Sequence, residues 1–347
     1  MSACLSSPSR SLVALSLRRA LRAVHPAAPA RRGLASGAAE PAASATTHFG
    51  AATVASADKA RLVAGVFEKV AASYDDMNDL MSAGLHRLWK DEFVRLAGPL
   101  ASDAPPPAGA GAGSATAYAP TVLLDVAGGT GDVAFRLFEG LRASLVRPPP
   151  AGAEGAAPPT VIVCDINPAM LRVGEQRARA RGYGGGGGGG GSGSGATAGG
   201  APGGSGGVQP VLRWQQGDAE RLDFLADASV DLYTIAFGIR NVTRVDAALR
   251  EAHRVLRPGG RFMCLEFSRV TQPLLARLYD AYSDAAIPRM GELVAGDRAS
   301  YQYLVESIRR FPDQEAFADM IEEAGFRNVT YRNLTYGVCA VHSGFKW

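Results

Sequence analysis

The sequence predicts an α/β protein with a mostly parallel central sheet that ends in an antiparallel hairpin. Apolar strand-like runs alternate with amphipathic helical segments between residues 121 and 268. Single helices between strands are typical of parallel pairing, with ligands bound at the carboxyl ends of the strands. A glycine-rich loop follows the first of these strands, and two strand-like runs stand almost back to back before the C-terminus.

The elements can be placed in order along the chain. We expect the parallel strands at residues 121–127, 160–166, 211–219, 230–237 and 261–268. One helix begins near Asp132, and another spans 167–182 with a proline suited to its first turn. A third, over 245–260, is predicted to stop at Pro258 and the two glycines after it. Helices at 273–286, 300–309 and 313–326 precede the hairpin strands NVTYRNLTYG and VCAVHSGFKW.

Residues 57–98 are predicted to be helical and amphipathic. Their apolar side chains fall into two clusters, the first with Val63, Val66, Phe67 and Val70 and the second with Leu80, Met81, Leu85, Leu88 and Trp89. Two interpretations stay open: the helices pack on the sheet, or they form a lid that covers the site and accepts an apolar substrate. His86, in this segment, is predicted to pack and not to react.

Three low-complexity tracts interrupt one folded domain over residues 58–347. They lie near 103–118, 147–159 and 183–207 and consist mainly of Gly, Ala, Pro and Ser. Such residues bury too little apolar surface to offset the entropy of ordering the chain. We therefore expect these tracts to be disordered loop expansions.

The first forty residues have the composition of an organelle transit peptide. No acidic residue precedes Glu40, whereas the segment contains Arg10, Arg18, Arg19, Arg22, Arg31 and Arg32. A basic amphipathic helix without acidic residues is typical of such leaders, and RRGLASG at 31–37 favours mitochondrion over chloroplast. These six arginines exceed the formal net charge of +3, so the basicity is a targeting signal and indicates no nucleic-acid partner.

Composition also limits the other classes of protein. No apolar run approaches the length needed to span a membrane, which leaves peripheral attachment open. The four cysteines form no CxxC pair, and the five histidines are scattered. We therefore predict no metal site and buried, reduced thiols at Cys164, Cys264 and Cys339.

The glycine loop after the first strand indicates a cofactor site. Gly128, Gly129 and Gly131, with Thr130 among them, would bring backbone N–H groups and a helix start close to a ligand. That arrangement suits a pyrophosphate, and it equally suits the amino-acid end of S-adenosylmethionine. The loop alone does not discriminate between these cofactors.

Two acidic residues sharpen this interpretation. Asp165 ends the second strand, where a carboxylate can accept hydrogen bonds from ribose hydroxyls. It lies 35 residues beyond Thr130, and the insert at 148–159 accounts for the long spacing. Asp218, followed by Ala219, ends the third strand, where it can meet an adenine amino group. Together the three signals are far more specific than any one of them.

Six stretches carry a pattern that is specific to one family: VFEKVAASYDDMNDLMSAGLHRLWK, DVAGGTGDVAF, DINPAML, FGIRNVT, HRVLRPGGRFMCLEFS and SYQYLVESIRRFPDQEAFADMIEEAGF. On these stretches the chain resembles the ubiquinone and menaquinone C-methyltransferases from about Val63 to the C-terminus. The resemblance implies a Rossmann-like class I fold with an N-terminal helical lid and S-adenosylmethionine as methyl donor. It implies C-methylation of 2-methoxy-6-polyprenyl-1,4-benzoquinol in ubiquinone biosynthesis.

The resemblance also implies partners and a location. We expect peripheral contact with the matrix side of the mitochondrial inner membrane, within a multiprotein ubiquinone-biosynthesis complex. Polyprenyl substrates reside in the bilayer, which gives that contact a physical reason. A homodimer is left open.

Carried over by position, the resemblance implies roles for individual residues. Cofactor contacts are expected from Gly128, Gly129, Thr130, Gly131, Asp165, Asp218, Ala219 and Ala236. The family usually has Ser where this chain has Ala236, so one side-chain hydrogen bond is missing. Arg240, Tyr74 and Asp165 are expected around the reacting centre, with Asn241 next to Arg240 where the substrate ring approaches. Tyr74 is expected to act either as an apolar lid contact or through a hydroxyl bonded to the substrate. Because a guanidinium stays protonated, we expect Arg240 to stabilise a developing phenolate and to orient a water that takes the proton.

Three other functions compete with this one. A plastid demethylphylloquinol or demethylmenaquinol methyltransferase would use the same cofactor residues. A non-catalytic member of a quinone-biosynthesis complex would keep the fold without the activity. A nicotinamide dehydrogenase would bind NAD(H) and would not need the FGIRN motif after the fourth strand.

Overall fold

A computed structural model describes residues 46–70, 74–98, 100, 121–145, 157–183 and 209–347. The strands in these ranges are β1 (Thr46–Phe49), β2 (Ala52–Ala55), β3 (Val122–Val126), β4 (Thr160–Asp165), β5 (Val211–Gln216), β6 (Val230–Ala236), β7 (Leu256–Phe267), β8 (Arg327–Leu334) and β9 (Cys339–Phe345). The helices are α1 (Ser56–Val70), α2 (Tyr74–Ser82), α3 (Leu85–Ala97), α4 (Asp132–Ser144), α5 (Pro168–Ala180), α6 (Val245–Val255), α7 (Pro273–Ala285), α8 (Ile287–Ala295), α9 (Arg298–Arg310) and α10 (Gln314–Glu323).

The central sheet of the described chain has seven strands in the order β5-β4-β3-β6-β7-β9-β8. The strands from β5 to β7 pair in parallel, whereas β9 runs antiparallel to both β7 and β8. This confirms the predicted α/β fold with a C-terminal antiparallel hairpin. From β3 the chain continues to β4 and β5 on one side of the sheet, and from β6 it continues to β7 on the other side. The loops at the carboxyl ends of β3 and β6 therefore diverge and leave a crevice between them.

Both faces of the sheet are covered, which explains its uninterrupted apolar strands. Successive side chains of a strand point to opposite faces. On β3, Leu123 joins a cluster with Leu137 of α4, and Leu124 joins one with Leu249 of α6. The three predicted buried thiols are confirmed as buried and free.

The predicted end of α6 was wrong. The helix stops at Val255, and β7 begins at the next residue, so that Pro258 lies inside the strand and not at the end of a helix. Leu256 pairs with Val230, and the register then shifts before Leu232 pairs with Arg261. The proline and glycines therefore form an irregularity in β7, where a missing N–H donor is tolerated. Helix α8 and the β1–β2 hairpin were not predicted.

The second apolar cluster predicted for the N-terminal helices was also wrong in part. Leu80, Leu85 and Leu88 are exposed. The buried stripe of α3 consists of His86, Trp89, Lys90 and Phe93. Two polar residues occupy this stripe because they contact other polar groups beside the cavity described below, and apolar periodicity alone could not detect them.

Several predictions lie outside the described residues. These are the transit peptide over 1–40, almost all of the three low-complexity tracts, and the side chains of Phe67, Val70 and Tyr74. Of Tyr74, the structure gives only its position as the first residue of α2.

Candidate active site

The loop between β3 and α4 is built around glycines. A Cβ atom on Gly128 would lie 2.7 Å from Cγ1 of Val163 and 2.9 Å from Oδ2 of Asp125, so no larger residue fits. Gly129 has a φ of 55°, and its N–H donates to Asp165 Oδ2 at 2.9 Å. The backbone can therefore approach a ligand closely at this point.

Asp165 joins two loops at the edge of the crevice. Besides the bond from Gly129, its Oδ1 accepts from the N–H of Asn167 at 2.8 Å. Burial raises the pKa of Asp165, and these backbone N–H groups oppose the rise. The carboxylate is thus held in a fixed orientation at the end of β4, beside the glycine loop.

A cavity of about 240 Å³ opens at the carboxyl ends of the parallel strands. Its wall, as far as the described residues form it, includes these predicted site residues: Gly128, Gly129, Thr130, Asp165, Asp218, Ala219, Ala236, Arg240 and Asn241. Gly131 is not part of this wall. It starts α4 with a φ of 84°, and a Cβ there would lie 2.6 Å from Trp214. Because Gly131 has no side chain, the indole of Trp214 can pack directly against it.

Helices cover the other side of the cavity. Val63 and Val66 of α1 and Trp89 of α3 line it, together with the rings of Phe237 and Phe267. The N-terminal helices therefore pack on the domain and also line the cavity, whereas their acceptance of an apolar substrate stays a prediction. The resulting wall is largely apolar on the side opposite the glycine loop.

Arg240 lies in a short 3₁₀ turn after β6, and its guanidinium is buried. Its Nη1 donates to Glu266 Oε1 at 2.9 Å and to the carbonyl of Phe237. Its Nε lies 3.4 Å from Ser307 Oγ. Burial raises the pKa of Glu266, and Arg240 opposes the rise. Sequence reasoning missed Glu266, although an acidic residue inside the apolar strand MCLEF was a signal for it.

Asn241, the next residue, contacts a helix that follows much later in the chain. Its Oδ1 accepts a hydrogen bond from the hydroxyl of Tyr303 on α9 at 2.9 Å. Tyr303 itself is buried and lines the cavity. Sequence reasoning missed Tyr303, because nothing local distinguishes it from other helical tyrosines.

Three further polar groups in the cavity wall were missed as well. Lys90 of α3 donates to Asp132 Oδ2 at 2.7 Å. Burial alone would raise the pKa of Asp132, but Lys90 and then Arg136 outweigh it and hold that pKa at about 2. Asp125, in the middle of the core strand β3, accepts from Thr234 Oγ1 at 2.7 Å, and burial raises its pKa to about 7.

His86 also lines the cavity, with its Nε2 at 2.7 Å from Asp79 Oδ1. Burial lowers the pKa of His86, against the effect of Asp79. Arg87 binds the same carboxylate and is the main reason for the lowered pKa of Asp79. The imidazole is therefore neutral at physiological pH, and its prediction as a packing residue is compatible with this contact.

Three features define a class I S-adenosylmethionine-dependent methyltransferase. They are the order of the strands in the sheet, the glycine loop after β3, and the carboxylates at the ends of β4 and β5. The cavity fits that cofactor, since only glycine is tolerated at Gly128 and the carboxylate of Asp165 stands beside Gly129. The chain belongs to the ubiE/COQ5 methyltransferase family, whose model matches residues 53–185 and 204–346.

Several similar proteins carry the name "2-methoxy-6-polyprenyl-1,4-benzoquinol methylase, mitochondrial". The chain is 51% identical to the protein of that name from Oryza sativa subsp. japonica, over 86% of this chain and 88% of the relative. It is 48% identical to those from Danio rerio and Homo sapiens, each over 87% of this chain and 84% and 85% of the relative. A solved structure described as a possible histamine N-methyltransferase from Thermotoga maritima aligns with a TM-score of 0.47 at 16% identity, over 82% of this chain and 99% of that chain. Membership of a methyltransferase family excludes the nicotinamide dehydrogenase.

Within the described residues, no group of three or more His, Cys, Asp or Glu side chains is placed to hold a metal ion. In the same part of the chain, no helix is long and apolar enough to cross a membrane.

Proposed function

We propose that this chain transfers a methyl group from S-adenosylmethionine to a ring carbon of 2-methoxy-6-polyprenyl-1,4-benzoquinol in ubiquinone biosynthesis. The observation that carries the proposal is one cavity that joins Asp165 and the glycine loop to an apolar wall, with Arg240 in between. The name that these relatives carry supports the same substrate.

In this proposal the residues at the carboxyl ends of β3 to β6 would hold the cofactor. Backbone N–H groups around Thr130 would bind its amino-acid end, Asp165 would accept from its ribose, and Asp218 with Ala219 would bind its adenine. Bound there, S-adenosylmethionine supplies an electrophilic methyl carbon. The chain must then hold the ring carbon about 3 to 3.5 Å from that methyl group and in line with it.

The quinol ring lies against the apolar wall, among Trp89, Phe237 and Phe267. A ring carbon becomes more nucleophilic as the neighbouring hydroxyl loses its proton, so donors near that oxygen accelerate the step. Arg240 and Asn241 are the donors we assign there, and we propose Tyr74 as a further residue of the reacting centre. Because Arg240 is ion-paired and cannot deprotonate, a water takes the hydroxyl proton. The new carbon–carbon bond would replace the methyl–sulfur bond, so that S-adenosylhomocysteine leaves, and the ring carbon would lose its C–H proton to water as the ring regains aromaticity. The oxidised quinone should not react.

We further propose that the chain works in the mitochondrion, after removal of a transit peptide within residues 1–40, on the matrix side of the inner membrane. Peripheral contact is supported by an exposed apolar stripe on α7, at Leu274, Leu278 and Tyr282. Tyr282 also lines the cavity, so the stripe reaches the site. A multiprotein ubiquinone-biosynthesis complex and a homodimer belong to the same proposal.

The test uses the full chain, S-adenosylmethionine with a labelled methyl group and two quinols under reducing conditions. One is a short-chain 2-methoxy-6-prenyl-benzoquinol, and the other is a demethylated naphthoquinol. We expect label on a carbon of the benzoquinol and none without reductant. Label on the naphthoquinol alone would assign the plastid reaction, and binding of S-adenosylmethionine without transfer to either would indicate a non-catalytic member.

A further inference from the structure

Tyr303 lies in α9, far in sequence from the FGIRN motif, but it contacts that motif directly. Its hydroxyl donates to Oδ1 of Asn241 at 2.9 Å. Burial raises the pKa of Tyr303 to about 12, so the hydroxyl keeps its proton and remains a donor at physiological pH. The contact therefore fixes the acceptor end of a side chain that lines the cavity.

A carboxamide has one acceptor end and one donor end, and its chemistry depends on which end faces the substrate. When a donor such as Tyr303 holds the oxygen, the two Nδ2 hydrogens point elsewhere. A developing phenolate needs donors near it and would be repelled by an acceptor. The orientation of Asn241 thus decides whether it helps or hinders the reaction.

On the basis of the proposed function, we propose that Tyr303 is a positioning residue that holds Asn241 with its Nδ2 donor turned towards the quinol oxygen. Tyr303 acts through Asn241 and needs no contact with the reacting atoms. In this arrangement Asn241 and Arg240 both donate hydrogen bonds to the same quinol oxygen.

Helix α9 is suited to this role because it also contacts Arg240. Ser307, one turn after Tyr303, accepts from Arg240 Nε at 3.4 Å. The same helix therefore sets the position of both neighbouring donors. A small rotation of α9 would displace them together.

The β1–β2 hairpin holds α9 from the outside. The ring of Phe49 stacks on that of Tyr303, with centroids 4.4 Å apart and planes 24° apart. In the turn of the hairpin, Ala51 N–H donates to Glu306 Oε2 at 2.5 Å, and its carbonyl accepts from Arg310 Nη2 at 2.7 Å. These contacts hold the ring of Tyr303 and the part of α9 that follows it, which keeps the hydroxyl within reach of Asn241.

The experiment is a double-mutant cycle in the full chain with Tyr303→Phe, Asn241→Ala and both together. Turnover of the reduced short-chain benzoquinol and the dissociation constant of S-adenosylmethionine are measured for each. We expect Tyr303→Phe to lower kcat about tenfold, which corresponds to one lost positioning contact. The cofactor affinity stays unchanged, and Tyr303→Phe causes no further loss once Asn241 is Ala.

The matched control is Tyr331→Phe, which removes a tyrosine hydroxyl bonded to Glu315 at 2.8 Å on the exposed surface of β8. Its kcat should equal that of the wild type. Losses that multiply in the double variant, or an equal loss of cofactor affinity, would overturn the positioning role. If the wild type itself transfers no methyl group to the benzoquinol, the proposed function fails instead, so the two failures are distinguishable.

Discussion

Arg240 and Glu266 form a buried ion pair, with Nη1 of the arginine 2.9 Å from Oε1 of the glutamate and side chains only 4% and 1% exposed. Removing one partner of such a pair leaves an uncompensated charge in a low dielectric, which is strongly destabilising. A loss of activity on substitution of Arg240 would therefore mix a structural effect with a chemical one.

Two variants separate these effects. Arg240→Met should lower the free energy of unfolding by about 3–5 kcal/mol, because Glu266 is left buried without its partner. Arg240→Met with Glu266→Gln should regain much of that stability but almost none of the turnover, since the donor to the phenolate is still absent. Urea unfolding and turnover on the reduced benzoquinol measure the two quantities. A double variant as active as the wild type would assign Arg240 a structural role only.

Asp165→Asn should weaken the binding of S-adenosylmethionine by at least about tenfold. The amide keeps the volume but cannot accept at both atoms, and hydrogen bonds to a charged group contribute about 1.5–3 kcal/mol each. Isothermal titration calorimetry gives the dissociation constant. Asp319→Asn, on the exposed side of α10, is the matched control and should bind as the wild type does. Unchanged affinity in Asp165→Asn would show that the carboxylate serves only Gly129 and Asn167.

Ala236→Ser should tighten cofactor binding. Ala236 ends β6 and lines the cavity. The family usually has Ser at this position. One added hydrogen bond contributes about 0.5–1.5 kcal/mol, or roughly two- to tenfold in affinity. The same titration measures it, with Ala236→Val as the control that adds volume without a donor. Equal affinities for the Ser variant and the wild type would mean that the hydroxyl does not reach the cofactor.

Much of the fold could be predicted because its signals are local. Neighbouring residues are enough to recognise an apolar run of strand length, the proline at the start of α5, and a single helix between two strands. The loop glycines and Asp165 were predictable for the same reason, since a strand end and a tight turn place them together. Helix α8 was missed because its short apolar run merges with α7 in sequence.

The remaining site residues depend on contacts between distant segments. Glu266 meets Arg240 only because β7 lies beside β6, and Tyr303 meets Asn241 only because α9 folds back over the sheet. Lys90 falls on the buried stripe of α3 because Asp132 compensates its charge, which no periodicity rule anticipates. Sequence reasoning therefore found the residues that the strands place at the crevice and missed those that orient them.

The exposed apolar faces of α7 and α8 should mediate the proposed membrane contact. Leu278 is 61% exposed and Leu293 is 85% exposed. Leu278→Asp with Leu293→Asp should reduce sedimentation with vesicles of phosphatidylcholine and phosphatidylglycerol at least about tenfold, because each buried leucine contributes about 1.5–3 kcal/mol. Turnover of a short-chain quinol in solution should stay unchanged.

The control for this surface replaces both leucines with Met, which keeps it apolar and should preserve vesicle binding. All variants carry the same basic N-terminal segment, so its attraction to anionic lipid cancels in the comparison. If the Asp variant binds vesicles as well as the wild type does, this face does not form the membrane contact. A smaller assembly formed by the Asp variant in sedimentation velocity would instead assign the face to contact between copies of the chain.

Asp125 should make the stability of the protein depend on pH. Burial raises its pKa from 3.8 to about 7, and the hydrogen bond from Thr234 only partly opposes this. Between these two values the folded chain binds a proton that the unfolded chain has lost, so this residue lowers stability as pH rises. At about 1.4 kcal/mol for each pH unit, the loss reaches roughly 4 kcal/mol at most and is complete above pH 7.

Asp125→Asn keeps the shape of the side chain but has no charge to bury. The free energy of unfolding of this variant, measured relative to wild type by urea titration, should therefore rise steadily from about pH 4 to pH 7 and then level off. The wild type and Asp319→Asn should give parallel curves over that range, because Asp319 is exposed. If Asp125→Asn also runs parallel to the wild type, Asp125 is ionised in the folded protein. A partner must then compensate its charge inside the sheet.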